Sequence, residues 1–113
     1  MPECLFCRIV SGGVPASRVL ESPRTVSFRD ISPQAPTHVL VVPKKHYPDL
    51  AALSADVDLL AEVTGQAARV AEAEGIAGCG YRVVFNTGVD AGQTVPHVHA
   101  HVLGGRALSW PPG

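Results

Sequence analysis

The alternation His97-Val98-His99-Ala100-His101-Val102 constrains this chain more than any other stretch. Alternate side chains of an extended strand share a face. The spacing therefore predicts the imidazoles of His97, His99 and His101 along one side, with Val98, Ala100 and Val102 packed into a core on the other. Three of the five histidines are concentrated here, and histidine is the side chain whose ordinary pKa lies closest to neutrality. A tag remnant would be a terminal run of adjacent histidines. This segment instead alternates with apolar residues and ends in Leu103-Gly104-Gly105, a strand end and turn. Such a row serves either as metal ligands or as the surroundings of a nucleophile.

A chain of 113 residues predicts one domain spanning 1–113, able to bury about two-thirds of the surface exposed by its unfolded state. With 46% hydrophobic residues, 17% charged residues and a net charge of -1, there is no sequence-wide electrostatic case for nucleic acid or an anionic membrane as partner. An anionic ligand needs local donors. No apolar stretch reaches membrane-spanning length and no basic, hydrophobic leader is visible, so a cytoplasmic location is the expectation. Three cysteines, an odd number, argue against a disulfide framework. Cys4 and Cys7 form a Cys-x-x-Cys that reads as a metal half-site or a redox motif, while Cys79, between glycines, reads as a small turn residue.

The remaining pattern predicts an α+β domain with a mainly antiparallel sheet. A short helix is expected over Glu3–Val10, ended by Ser11-Gly12-Gly13. Strands are expected over Ser17–Glu21 and Thr25–Arg29, joined by a turn at Ser22-Pro23-Arg24. The proline-rich stretch 30–36 predicts a fixed loop forming a wall, and Thr37–Val42 a strand buried on both faces. One long helix is expected over Ser54–Glu74, with Ser54 as N-cap and Gly75 as stop. Its stripe is Val57, Leu60, Val63, Ala67, Val70 and Ala71. Tyr81–Asn86 predicts a further strand. The following loop, with Gly88, Gly92, Gln93 and Thr94, offers close backbone approach and neutral donors suited to phosphate oxygens.

An imidazole attacks phosphorus when one nitrogen is unprotonated and the other is held by an acceptor. His99, flanked by His97 and His101, is the best placed nucleophile. The run Gln93-Thr94-Val95-Pro96-His97-Val98-His99-Ala100-His101-Val102-Leu103 resembles the signature of the histidine triad family of nucleotide hydrolases and transferases. Asp30 through His38, Val42-Pro43-Lys44-Lys45-His46, and the ending Leu103-Gly104-Gly105-Arg106 with Trp110-Pro111-Pro112-Gly113 resemble its Hint branch.

The resemblance implies a five-stranded antiparallel sheet with one long and one short helix. It further implies a homodimer formed through the long helix and a central strand, with Trp110 near the partner's active site. It implies that His99 attacks the α-phosphorus of an adenosine (purine) 5′-phosphoramidate, forms a nucleotidyl-histidine and yields AMP, with no catalytic cofactor. Asp30 would hold the ribose, and Phe6, Ile9, Val14, Phe28 and Ile31 would line the base pocket. Asn86, Gly92, Gln93, Thr94 and His101 would surround the phosphate and leaving group, with His97 and His38 supporting the histidine network. A dinucleoside polyphosphate hydrolase of the Fhit type shares Gln-Thr-Val before the triad, but the Gly-Gly-Arg and Trp-Pro-Pro-Gly ending argues against it.

Cys4-Leu5-Phe6-Cys7 departs from the animal Hint pattern and resembles bacterial histidine triad proteins that hold structural zinc. The resemblance carries that ligand set to Cys4, Cys7, His46 and His97, a closed tetrahedral set with no position left for substrate. Two other readings are a zinc-stabilised nucleotide-binding or interaction protein with little catalysis, and a metal-dependent hydrolase using the histidine row itself as ligands.

Overall fold

The structure is a computed structural model that describes residues 4–113. Its elements run α1 (Leu5–Val10), β1 (Arg18–Glu21), β2 (Thr25–Arg29), β3 (Thr37–Pro43), α2 (Leu50–Ser54), α3 (Val57–Ala73), β4 (Tyr81–Val84) and β5 (Ala100–Gly104). The five strands form one sheet in the order β1-β2-β3-β5-β4, with every neighbouring pair antiparallel. This is the α+β architecture expected from the sequence.

The sheet's middle strand explains the core. All seven residues of β3 are buried, and their parity sorts them onto two faces. Val39 and Val41 pack with Val98, Ala100 and Val102 against Leu59, Val63, Ala67, Val70 and Ala71 of α3. Leu40 and Val42 pack with Val26 and Phe28 against Cys4, Phe6 and Ile9 at the N-terminal helix. Each fully buried aliphatic or aromatic side chain contributes about 1.5–3 kcal/mol by leaving water, so both faces must stay covered.

The helix expected over Ser54–Glu74 is α3, which starts three residues later at Val57 and runs to Ala73, and the short helix α2, Leu50–Ser54, which the sequence pattern does not predict, precedes it. Ser54 closes α2, its hydroxyl donating to Ala51 O at 2.7 Å, and Asp56 caps α3 by accepting from Leu59 N at 3.1 Å. A carboxylate outcompetes a hydroxyl for exposed N–H groups at a helix start. The shift turns Val57 outward, 72% exposed, and puts Leu59 fully inside. Gly75 provides the stop at φ 75°, with Ile76 N donating back to Ala71 O at 3.0 Å. The Val63, Ala67, Val70 and Ala71 stripe packs on the chain's own sheet, and β3 is internal to that sheet. The opposite side of α3, with Ala61, Thr64, Ala68 and Glu72, is exposed, and the outer edge strand β4 carries Tyr81 and Val83, 38% and 39% exposed.

The histidine segment is also shorter in strand than its alternation implies. The ladder between β3 and β5 ends at Val41 opposite Ala100. Before it, Val98 N donates to Tyr47 O at 2.7 Å and His97 N to Val95 O at 2.8 Å, which draws the chain away from β3. β4 likewise stops at Val84. At the other terminus Cys4 caps α1; Glu3, expected in that helix, lies outside the described residues. Among the described residues no helix is long and apolar enough to cross a membrane.

Candidate active site and cysteine–histidine cluster

Although only His101 lies in β5, parity persists upstream: Val98, Ala100 and Val102 enter the core and the three imidazoles face away from it. His99 is buried, with Nδ1 2.8 Å from the main-chain oxygen of His97. A carbonyl can only accept, so Nδ1 carries the proton and Nε2 keeps its lone pair. Burial pushes His99 below its ordinary pKa, against the opposing hydrogen bond to His97 O and the charge of Asp30. The imidazole is neutral at neutral pH, as a nucleophile requires.

The same reasoning fixes the protons on the next pair. Gln34 N donates to His38 Nδ1 at 3.0 Å, so the His38 proton sits on Nε2, which is 2.9 Å from His101 Nδ1 and 3.4 Å from Asp30 Oδ2. His101 Nδ1 therefore accepts, leaving the second proton on His101 Nε2. That nitrogen is buried and has no partner among the described residues, and an unmatched buried donor is costly unless a ligand meets it. Burial, with His99 and His38 adding to it, pushes His101 down to about 4. His38 is also lowered by burial, against the pull of Asp30.

His99 and His101 open onto a cavity of about 420 Å³ lined also by Phe6, Ile9, Val14, Phe28, Asp30, Ile31, Asn86, Gly92 and Thr94. Eleven residues expected at the substrate thus meet at one concavity. Ile31 stands at its rim, 98% exposed, and Asp30 Oδ1 also accepts from Ser32 N at 2.8 Å, the turn cap its sequence context favours. Gly92 adopts φ 83°, a left-handed conformation that keeps the loop backbone close to the cavity without strain.

Four further residues named from the sequence do not line this cavity, though His38 and His97 are expected only behind it in the histidine network and Trp110 at the partner's site. The Gln93 amide donates to Pro48 O at 2.7 Å and Val95 O at 3.1 Å, and its oxygen accepts from Gly88 N at 3.1 Å, so the side chain braces the loop instead of facing phosphate. Trp110 is 81% exposed and outside the cavity. His38 sits one residue behind, reaching the cavity only through His101. The His97 imidazole points into a separate cluster, and only its main-chain oxygen serves His99.

The sequence reading missed Leu5, Pro15, Ala16, Arg29, Leu40 and Val95 as lining residues. Leu40 was findable, since it shares strand parity with His38. The others, Arg29 at the end of β2 apart, depend on how loops close over the sheet.

In the separate cluster, Nδ1 of His97 lies 3.4 Å from Cys4 Sγ and 3.5 Å from Cys7 Sγ, and Nδ1 of His46 lies 3.4 Å from Cys7 Sγ. The four potential ligand atoms all fall within 4.8 Å of one another. A tetrahedral zinc with ordinary Zn–S and Zn–N bonds separates sulfur from nitrogen by about 3.5 Å, so the donor set fits this ion. The surroundings agree: His97 Nε2 donates to Pro43 O at 2.8 Å, leaving the Nδ1 lone pair toward the thiols. Burial, with Cys4 adding to it, raises the Cys7 thiol, so a dication is what would hold that sulfur as a thiolate. Asp30, His38 and His101 also converge within 4.8 Å. There His38 Nε2 must carry a proton, because its Nδ1 accepts from Gln34 N, and a protonated nitrogen is not a ligand.

Comparison with known proteins places this arrangement in a family. Residues 11–108 match the HIT domain. A HIT-like protein of Synechocystis is 46% identical over 112 residues, covering 98% of this chain and 97% of that protein. The crystal structure of a HIT family hydrolase from Legionella pneumophila superposes with a TM-score of 0.94 at 48% identity, covering 98% of this chain and 100% of the other. A histidine triad protein from Clostridium difficile gives 0.91 at 38% identity, with 96% of each chain covered. The chain belongs to the histidine triad family.

Proposed function

We propose that this chain is a nucleotide hydrolase or transferase that cleaves purine nucleoside 5′-phosphoramidates to AMP through a nucleotidyl-histidine at His99. One observation carries the reading: His99 Nδ1–H is held by His97 O while its free Nε2 shares a cavity with the unpartnered N–H of His101. The apolar end formed by Phe6, Ile9, Val14 and Phe28 suits a purine face, and Asp30 suits ribose hydroxyls. That the Legionella relative is described as a hydrolase supports the class.

In the first step His99 Nε2 forms a bond to phosphorus as the P–N bond breaks. The departing nitrogen leaves as the neutral amine with a proton it already carries in the N-protonated substrate, while His101 Nε2–H donates a hydrogen bond to the phosphoryl group. In the second step water bonds to phosphorus, the His99–P bond breaks, and the spare proton of that water leaves to solvent as AMP forms. His38, with its own proton on Nε2, holds His101 in the tautomer that donates.

We assign the cysteine–histidine cluster to one structural zinc per chain on Cys4, Cys7, His46 and His97, which when bound supplies a cross-link and no open coordination position. Thiolates maintained in this way fit a cytoplasmic, reducing setting. We also propose a homodimer, with β4 as the edge available to a second copy.

The test is a chase-quench reaction with adenosine phosphoramidate followed by mass and phosphorus analysis. An AMP adduct on His99, with turnover lost in a folded His99→Ala variant, supports the mechanism. Tight AMP binding without turnover of any phosphoramidate or dinucleoside polyphosphate would instead leave a nucleotide-binding protein.

A further inference from the structure

The cysteine–histidine cluster has two connections to the nucleotide cavity. Through His97 it reaches the nucleophile: the imidazole lies against Cys4 and Cys7 while the main-chain oxygen of the same residue holds His99 Nδ1. Through Cys4 and Cys7 it reaches the cavity wall, since these residues flank Phe6 at the start of α1. The two routes meet at the Phe6 ring, whose edge-on contacts have centroid distances of 5.9 Å to His97, 5.0 Å to His99 and 5.5 Å to Phe28.

Apart from this, the parts are held by the core packing of Cys4, Phe6, Ile9 and Val98 and by hydrogen bonds from His97 Nε2 to Pro43 O and from Arg18 to Ile9 O, not by the sheet ladder. β5 begins at Ala100, so His97 and His99 lie outside the ladder that fixes His101. α1 is six residues long, far too short to be stable by its own hydrogen bonds. Without a metal, the side chains of the cluster are joined by sulfur–nitrogen hydrogen bonds of 3.4–3.5 Å, which are weak, and by the edge-on contact of the His46 and His97 rings at 4.9 Å. Coordination would replace them with covalent-strength links among the N-terminus, the His46 segment and His97.

We infer that the cysteine–histidine cluster and the nucleotide cavity are energetically coupled, zinc and AMP each tightening the other's binding through Phe6 and His97. The inference rests on the zinc and nucleotide readings proposed above. In it His97 and Phe6 are positioning residues: zinc orders α1 and the His97–His99 segment in advance, so the nucleotide meets a wall and a nucleophile already in place. Ordering that one ligand has completed lowers the cost for the other, and the effect is reciprocal by necessity.

The experiment starts from purified protein whose zinc content and AMP binding have been measured. Zinc loss to a chromogenic chelator is followed with and without saturating AMP, in the regime where the rate does not depend on chelator concentration. We expect AMP to slow release by about fivefold or more, within the usual range of coupling. Calorimetry on reversibly stripped protein should show AMP weakened by a comparable factor. The ¹⁵N signals of His99 should change from one Nδ1–H tautomer in the loaded protein to a mixture after stripping. Phe6→Leu, retaining apolar bulk without the ring, should reduce the AMP effect on release toward unity while zinc remains bound.

An unchanged release rate in protein that holds one zinc and is saturated with AMP overturns the coupling and leaves both underlying readings standing. Protein containing no zinc, or not binding AMP, overturns the corresponding reading and the coupling with it. The release measurement uses only the loaded protein, so it is decisive even if stripped protein unfolds.

Discussion

His38 Nε2 stands 2.9 Å from His101 Nδ1, and because Gln34 N–H occupies the far nitrogen of His38, the proton between the rings belongs to His38. His38→Leu removes that donor and lets His101 adopt the wrong tautomer; His38→Gln offers an amide N–H near the same position. We expect kcat to fall about 10²-fold in the leucine variant, at the low end for loss of an oxyanion-stabilising donor, with KM little changed, and the glutamine variant to recover much of the loss. Equal losses in both, by steady-state kinetics, would show that His38 only fills space.

The histidine shifts set a pH dependence of definite sign. Unfolded histidine takes up a proton near 6.5, whereas His101 in the folded chain resists until about 4, and His38 and His99 are displaced the same way by burial. Between these limits the unfolded state binds more protons, so stability is retained above about pH 6.5 and falls as pH drops toward 4. Thermal melts from pH 7.5 to 4.5 should show this decline, with a shallower slope for His101→Gln than for the native chain. The acid limb of the kcat/KM profile should lie below pH 6.5, because burial holds His99 below its ordinary pKa.

Much of this site was readable before any fold was known, and the reasons are local. Parity holds along an extended backbone whether or not a partner strand is present, so Val98, Ala100 and Val102 were correctly turned inward although the ladder reaches only Ala100. Where the strand stops was not readable, because it depends on Tyr47 O, and the His97 ring is held by Pro43 O, both more than 45 positions away. The start of α3 was local but a matter of competition, Asp56 prevailing over Ser54 as cap. Gln93 is a third kind of case: its donors suit phosphate chemically, but Pro48 and Val95 already accept from them.

Gly104 closes β5 against the turn after α3. A Cβ there would lie 2.6 Å from Ile76 Cδ1 and 3.3 Å from Ile76 Cβ, and Ile76 is itself buried. Gly104→Ala should therefore destabilise by about 1–3 kcal/mol, the ordinary cost of overpacking. Ile76→Val removes Cδ1, so the double variant should be more stable than additivity from the two singles predicts. Urea denaturation of the four proteins checks the coupling; strict additivity would mean that the backbone shifts to relieve the clash.

The proposed homodimer places a second copy along β4, where Tyr81 and Val83 are partly exposed. Arg82 on the same strand holds Ser109 O at 3.0 Å, bringing Trp110 to this edge of the sheet. Sedimentation at micromolar concentration should give twice the chain mass, and Val83→Lys, which sets like charges across a symmetric pair, should shift it toward monomer. A monomer in the native protein removes the dimer from the account.

Zinc on Cys4, Cys7, His46 and His97 joins the chain's beginning to its histidine segment, so metal and folding should be linked. A ligand that binds only the folded state stabilises it in proportion to the logarithm of its concentration over Kd, and an unfolded chain offers no preformed four-ligand site. Purified protein should carry about one zinc per chain, as a closed four-ligand site implies, and chelation should lower Tm reversibly. Cys4→Ser should lose the metal and melt well below the native protein while keeping its far-ultraviolet spectrum at 20–25 °C, roughly the temperature at which domains of this size are near maximal stability. Absence of zinc, together with Cys4 and Cys7 freely alkylated in the folded protein, would remove the metal and its coupling to the nucleotide, and the His99 mechanism would then rest on the hydrogen bond between His99 Nδ1 and His97 O alone.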